Sequence, residues 1–322
     1  MGTTLTIDAS GERFCVNGQP TLLVGASYFA ALAASRDFIE DDLRDLKRAG
    51  VNWIRVWATW GAFGQDVAAL DADGDERPGP WEKLLWLIDF ADKLTTVVDV
   101  TLSRGEGVAG PAVLADDEAH LNAVTVLAEQ LGDFRNVYFD LAAERNAPDG
   151  RPVPTAFVRR LRDRVKEIDP HRLVTASHAG DIVPDRLYEY LIAAKVDFLA
   201  PHRPRGASSP AETHQKTRTL RSRMARLGKR VPLHYQEPFR RGLGGPWQPV
   251  AEDFLADLAG AASAGAAGWC LHNGPTAGAP DDRPRRCFDM RPSEGRLVEQ
   301  LEDTERAVLR KLKDTLAGSA AG

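Results

Sequence analysis

The chain has 322 residues, 43% apolar and 27% charged, with a net charge of −5. This is the balance of a globular protein with a large core, and with its Lys and Arg residues dispersed it argues against a nucleic-acid partner. No apolar run nears the roughly 18 residues of a membrane span, and Cys15, Cys270 and Cys287 are too far apart for a zinc site, so they read as core thiols.

The first residues carry no basic region followed by an apolar run, which predicts a cytoplasmic protein, or a secreted one whose leader is absent from this sequence. Residues 1–20 contain TLTIDASGERFCV, two alternating runs around Ser10-Gly11, the pattern of an N-terminal hairpin. Apolar strand candidates and amphipathic helices then alternate. TLLVGA (21–26) precedes a helix from Asp37 to Ala49; NWIRVW (52–57) precedes Trp81 to Leu94; TTVVDVTL (95–102) precedes Asp116 to Leu131; VYFDLA (137–142) precedes Thr155 to Ile168. RLVTAS (172–177) is followed by Pro184 to Ala194, VDFLAP (196–201) by Pro210 to Leu227, VPLHYQ (231–236) by Val250 to Ala264, and AAGWCL (266–271) by Pro292 to Leu316. Residues 317–322 read as a disordered tail.

Eight such units predict an α/β fold, a single (β/α)8 TIM barrel over 1–322 with a short N-terminal β-hairpin. A doubly wound sheet would want a glycine-rich phosphate turn after its first strand, and VGASYFA supplies none. In a barrel the chemistry sits where strands end. Those ends present Ser27-Tyr28, Arg55 to Trp57, Ser103-Arg104, Glu144, His178, His202, Glu237 and Trp269 to Asn273.

Only the fourth and seventh strands end in a glutamate, and they lie nearly opposite on an eight-stranded ring. Two facing carboxyls suit retaining glycoside hydrolysis, in which one attacks the anomeric carbon and the other protonates the leaving oxygen. No strand end carries the lysine of a Schiff-base aldolase. Histidines 178, 202, 234 and 272 stand singly, without the clustering of a metal-dependent hydrolase, and no metal or cofactor is expected. A non-catalytic carbohydrate-binding barrel, or another barrel enzyme using the two glutamates for proton transfer, stays open.

The residues also resemble clan A glycoside hydrolases, closest to the cellulase-like family 5, through nearly the whole chain. FCVNGQPTLLVGASY resembles that family's opening, and DLRDLKRAGVNWIRVW its first helix and second strand, with Arg55 at the arginine that supports the nucleophile. NVYFDLAAERNAP, VDFLAPHRP, VPLHYQEP and GAAGWCLHNG resemble its fourth, sixth, seventh and eighth strands. The resemblance implies Glu144 as acid/base, Glu237 as nucleophile, His202 as the family histidine and Trp269 as the floor of a sugar subsite. Two positions depart from the pattern. Ala143 stands where an asparagine contacts the sugar 2-hydroxyl, and the family's His-x-Tyr becomes His202-Arg203-Pro204, which leaves Tyr235 as the tyrosine expected to reach the nucleophile.

Trp60 and Trp247 are further stacking candidates for a carbohydrate substrate, beside Trp57 and Trp269. DADGDE (71–76) lacks the distal glutamate of a calcium loop and reads as solvated. The loops after strands six to eight carry Arg203, Arg205, Arg240, Arg241, Arg285 and Arg286. Arginine forks suit carboxylates and phosphates, so an anionic or decorated glycan is expected, with Asp281, Asp282 and Asp289 as competing partners.

Overall fold

The computed structural model describes residues 2–63, 65–104, 114–147, 152–243, 246–276 and 287–320. Leu5–Ile7 (β1), Phe14–Val16 (β2) and Gln19–Thr21 (β3) form an antiparallel sheet, so the expected hairpin gains a third strand. The parallel strands follow: Leu23–Ser27 (β4), Trp53–Trp57 (β5), then, after a small ribbon of Gly61–Ala62 (β6) and Gln65–Asp66 (β7), Val97–Thr101 (β8), Val137–Asp140 (β9), Val174–Thr175 (β10), His234–Tyr235 (β11) and Gly268–Leu271 (β12).

The seven parallel strands make one sheet in the order β10-β9-β8-β5-β4-β12-β11. Its two edges are joined by the predicted sixth strand, which pairs through single bridges. Asp197 N donates to Val174 O (2.9 Å) and His178 N to Ala200 O (3.0 Å) on one side; Leu199 N donates to Pro232 O (3.0 Å) and His234 N to Leu199 O (2.8 Å) on the other. The ring of eight thereby closes, as the alternation predicts, into the barrel.

Strand alternation sorts the side chains. Leu23, Trp53, Val97, Tyr138, Phe198 and Cys270 pack inside the barrel with Phe14 of β2 at its base, where Phe14 meets the Phe198 ring edge-on at 5.1 Å. Val24, Ile54, Val98, Phe139, Tyr235 and Trp269 belong to the layer between barrel and helices. Interior crowding explains two glycines: a Cβ on Gly25 would lie 1.6 Å from Trp53, and one on Gly268 would lie 2.2 Å from His234.

The helices are Arg36–Ala49 (α1), Pro80–Lys93 (α2), Asp117–Gln130 (α3), Thr155–Ile168 (α4), Ser209–Arg226 (α5), Ala251–Ser263 (α6), Leu297–Gln300 (α7) and Asp303–Ala320 (α8). Ser35 caps α1 by accepting from Phe38 N, so the helix starts one residue before the expected Asp37, and Asp116 caps α3. Two expectations fail. Residues 184–194 form a 3-10 turn, Pro184–Arg186, and a π-helical turn, Glu189–Ala194, whose buried Tyr190 hydroxyl lies 2.6 Å from His178 Nδ1. The closing helix is broken because Asp42 of α1 accepts from Leu297 N (2.8 Å) and Val298 N (3.0 Å), pinning α7, and Glu305 accepts from Glu302 N to start a separate α8. The expected disordered tail is helical as far as Ala320.

Candidate active site

Arg55 sits in the barrel mouth, pointing inward from β5 with its side chain fully buried. Its Nε donates to Thr101 Oγ1 (3.0 Å), one terminal nitrogen reaches Asp140 Oδ2 (2.8 Å), and the other donates to Glu237. Asp99 Oδ2 lies 3.2 Å from Nε. One guanidinium therefore serves three buried carboxylates, which is why an arginine is tolerated in an apolar strand. Burial, with Asp140 adding to it and Arg55 opposing it, pushes the Asp99 carboxyl up to about 8.

Asp99 and Asp140 were not singled out in the sequence, though a carboxylate in the middle of each apolar strand was the available signal. Gln236, an amide, also points inward and donates to Asp99 Oδ2 (2.8 Å).

Glu237 follows β11 at the mouth and Glu144 follows β9 opposite, both buried. Glu144 adopts a left-handed backbone (φ 47°), and its amide donates to Ser177 Oγ (2.9 Å). Such a conformation is uncommon outside glycine and re-aims the side chain. His202 joins the pair, its Nδ1 3.1 Å from Glu144 Oε1 and 3.7 Å from Glu237 Oε1. Glu144, His202 and Glu237 each offer one ligand atom, all within 4.8 Å of one another. That spacing suits a metal ion, but guanidinium groups already supply positive charge to the same carboxylates.

Burial alone would raise the Glu237 carboxyl; the fields of His202, Arg55 and His272 outweigh it and the Glu144 charge, holding Glu237 well below the usual carboxylate range. His272 lies 3.7 Å from Glu237 Oε2 and 2.8 Å from Ser27 Oγ, and burial holds its imidazole well below its usual value. It is a site residue that the sequence indicated only as part of a strand end.

Phe29, Trp57 and Trp60 form an aromatic wall beside Arg55. The ring centroids are 5.3 Å (Phe29 to Trp57) and 5.4 Å (Trp57 to Trp60) apart, and the Arg55 guanidinium lies 5.4 Å from Phe29. Trp60 is buried in this wall, and neither its indole N–H nor that of Trp57 has an acceptor among the described residues. Trp247 is partly buried against Phe239 (5.0 Å) at the seventh-strand loop.

Two expected site residues lie elsewhere. Trp269 faces out of the barrel and donates to Asp257 Oδ2 of α6 (2.7 Å), so it is no subsite floor. Tyr235 also faces outward, its hydroxyl 2.6 Å from Thr217 Oγ1 of α5, and does not reach Glu237. Both sit at outward positions in the strand alternation, one residue from inward Cys270 and Gln236.

The arginines divide similarly. Arg203 is locked to Asp181 (3.0 Å), Thr213 (2.7 Å) and Ser209 (3.1 Å), and Arg241 to Glu302 (2.9 Å), so neither faces the glutamates. Arg240 is buried at the mouth, close against Gly274, in the fields of Glu305, Arg205 and Glu237. Arg205 lies 3.3 Å from Glu237 Oε2 and 3.7 Å from Glu144 Oε1. Asp289 pairs with Arg291, while Asp281, Asp282, Arg285 and Arg286 lie outside the described residues. DADGDE is a turn in which Asp71 accepts from Asp73 N and Asp75 N, both at 2.9 Å.

No family model and no curated protein matches the chain. Solved structures do. A glycoside hydrolase family 5 mannosidase from Rhizomucor miehei superposes with a TM-score of 0.68 at 14% identity, over 99% of this chain and 98% of that one. The endo-1,4-beta-mannanase of the same organism gives 0.67 at 13%, over 99% and 100%. A glycoside hydrolase family 5 protein from Bacteroides vulgatus gives 0.69 at 17%, over 96% and 71%. The fold is therefore that of glycoside hydrolase family 5 barrels.

Proposed function

We propose that the chain is a retaining β-glycoside hydrolase working by double displacement. The observation that carries this reading is the pair of opposed strand-end glutamates, with oxygens within 4.8 Å and one of the two clamped by Arg55. Retaining enzymes hold their carboxyls about 5–5.5 Å apart, whereas inverting ones leave room for a water.

In the first step the Glu237 carboxylate attacks the anomeric carbon as its bond to the leaving oxygen breaks, and Glu144 transfers its proton to that oxygen. In the second, the Glu144 carboxylate takes a proton from water, the water oxygen attacks the same carbon, and Glu237 leaves as a carboxylate. The fields that keep Glu237 ionised suit a nucleophile. Arg55 holds one of its oxygens, leaving the other to attack, and His202 orients Glu144. Phe29, Trp57 and Trp60 back Arg55 as a packed, buried aromatic wall.

The rival reading is a carbohydrate-binding barrel without turnover, favoured by Ala143 in place of an asparagine and by Arg205 lying between the carboxylates. A screen of aryl β-glycosides and β-linked polysaccharides, manno-configured ones included because of the structural neighbours, separates the two. Wild type should cleave at least one. Glu237→Gln should lose activity on every substrate, and Glu144→Gln should keep a first-step burst with a dinitrophenyl leaving group, which needs no protonation. The same background from wild type and both variants on every sugar overturns the hydrolase reading.

A further inference from the structure

Arg205 is the cation that the double-displacement scheme does not use, and it occupies the place the scheme needs empty. Its guanidinium reaches Glu237 Oε2 at 3.3 Å and Glu144 Oε1 at 3.7 Å. The scissile bond must lie between those same two carboxylates. The side chain is 27% exposed, against 8% for Glu144 and 2% for Glu237, so it covers the pair from the solvent side.

The carrying loop is fixed behind it. Arg203 is tied to Asp181, Thr213 and Ser209, and α5 begins at Ser209, so only Pro204 to Ser208 and the Arg205 side chain are left to shift. A Cβ on Gly206 would meet nothing within 4 Å, so there is open space beside the loop.

We infer that Arg205 makes the site selective for acidic glycosides, covering the two glutamates until a carboxylate or sulfate on the sugar draws its guanidinium aside. This rests on the glycosidase reading above. Arg55 cannot take that role, being committed to Asp99, Asp140 and Glu237. A neutral sugar must strip a guanidinium from two carboxylates and offers it only hydroxyls. An acidic sugar offers a planar, charged acceptor that matches the arginine fork. Arg240, buried at the same mouth, adds a second positive field toward an acidic group.

The test uses matched 4-nitrophenyl β-glucoside and β-glucuronide, with Arg205→Gln and Arg205→Lys variants checked for wild-type melting. Wild type should favour the glucuronide by about tenfold or more in kcat/KM, the scale of one charge-assisted hydrogen bond. Arg205→Gln should lose that preference by falling on the glucuronide and rising on the glucoside, and Arg205→Lys should fall between. Wild type treating the pair alike, or Arg205→Gln lowering both in proportion, overturns the inference. Titration calorimetry with glucuronate and glucose separates its failure from that of the glycosidase reading. A glucuronate preference abolished by Arg205→Gln upholds the Arg205 assignment even if every glycoside resists cleavage, and equal binding overturns it even if glycosides are cleaved.

Discussion

Replacing Arg55 with methionine removes the one guanidinium that Asp99, Asp140 and Glu237 share. The methionine fills much of the stem volume, so the change is mainly electrostatic. Removing one partner of a buried ion pair costs about 3–5 kcal/mol, a large part of a typical total stability of about 5–15 kcal/mol. The pH dependence is the sharper test. Asp99 already has a raised folded value of about 8, so wild type loses stability from this group as pH rises from the unfolded carboxylate value toward 8. Without Arg55, Asp99 loses a field that lowers it, and Glu237 loses one of the cations that keep it ionised. The folded variant should therefore retain more protons than wild type while the unfolded chains match, and its stability should fall more steeply with pH. One whole extra proton held from pH 5 to pH 8 sets a ceiling of about 4 kcal/mol. Urea unfolding of both proteins at pH 5 and pH 8, followed by tryptophan fluorescence, measures this. A destabilisation below about 1 kcal/mol, or one equal at the two pH values, refutes the reading of Arg55 as the shared counter-ion.

Trp269→Phe should lower stability by about 1–3 kcal/mol by depriving buried Asp257 of a donor, and leave KM for any glycoside unchanged; a raised KM with unmoved melting would return Trp269 to the sugar site. Burial raises Glu305 to about 7, so wild type should lose up to about 3 kcal/mol relative to Glu305→Gln as pH climbs from 4.5 to 7; paired denaturation series measure this gap, and a gap that stays constant with pH would contradict it. Gly25→Ala forces a methyl to 1.6 Å from Trp53 and should cost about 3 kcal/mol or more, so a wild-type unfolding midpoint would contradict the packing described for the barrel interior.

What the sequence determined was local. Alternating apolar runs and amphipathic stretches specify the order of strands and helices, and Thr155–Ile168 is helical over the predicted residues. The residue that ends a strand can be read from where its apolar run stops, and this located Glu144, His202 and Glu237. Helix ends were less legible where distant groups decide them. Asp42, some 255 residues from Leu297, caps α7 and breaks a helix that its own pattern would continue.

Tertiary structure decided which face of each strand looks into the barrel. A strand buried on both sides carries apolar residues on both, so alternation separates two faces without saying which is interior. That is why Trp269 and Tyr235 looked like site residues and lie against α6 and α5, while Asp99, Asp140 and Gln236 were passed over. It also decided the arginines. Arg203 and Arg205 stand two residues apart in one loop, yet one is locked to Asp181 and the other lies over both glutamates, because ring closure brings different partners to each.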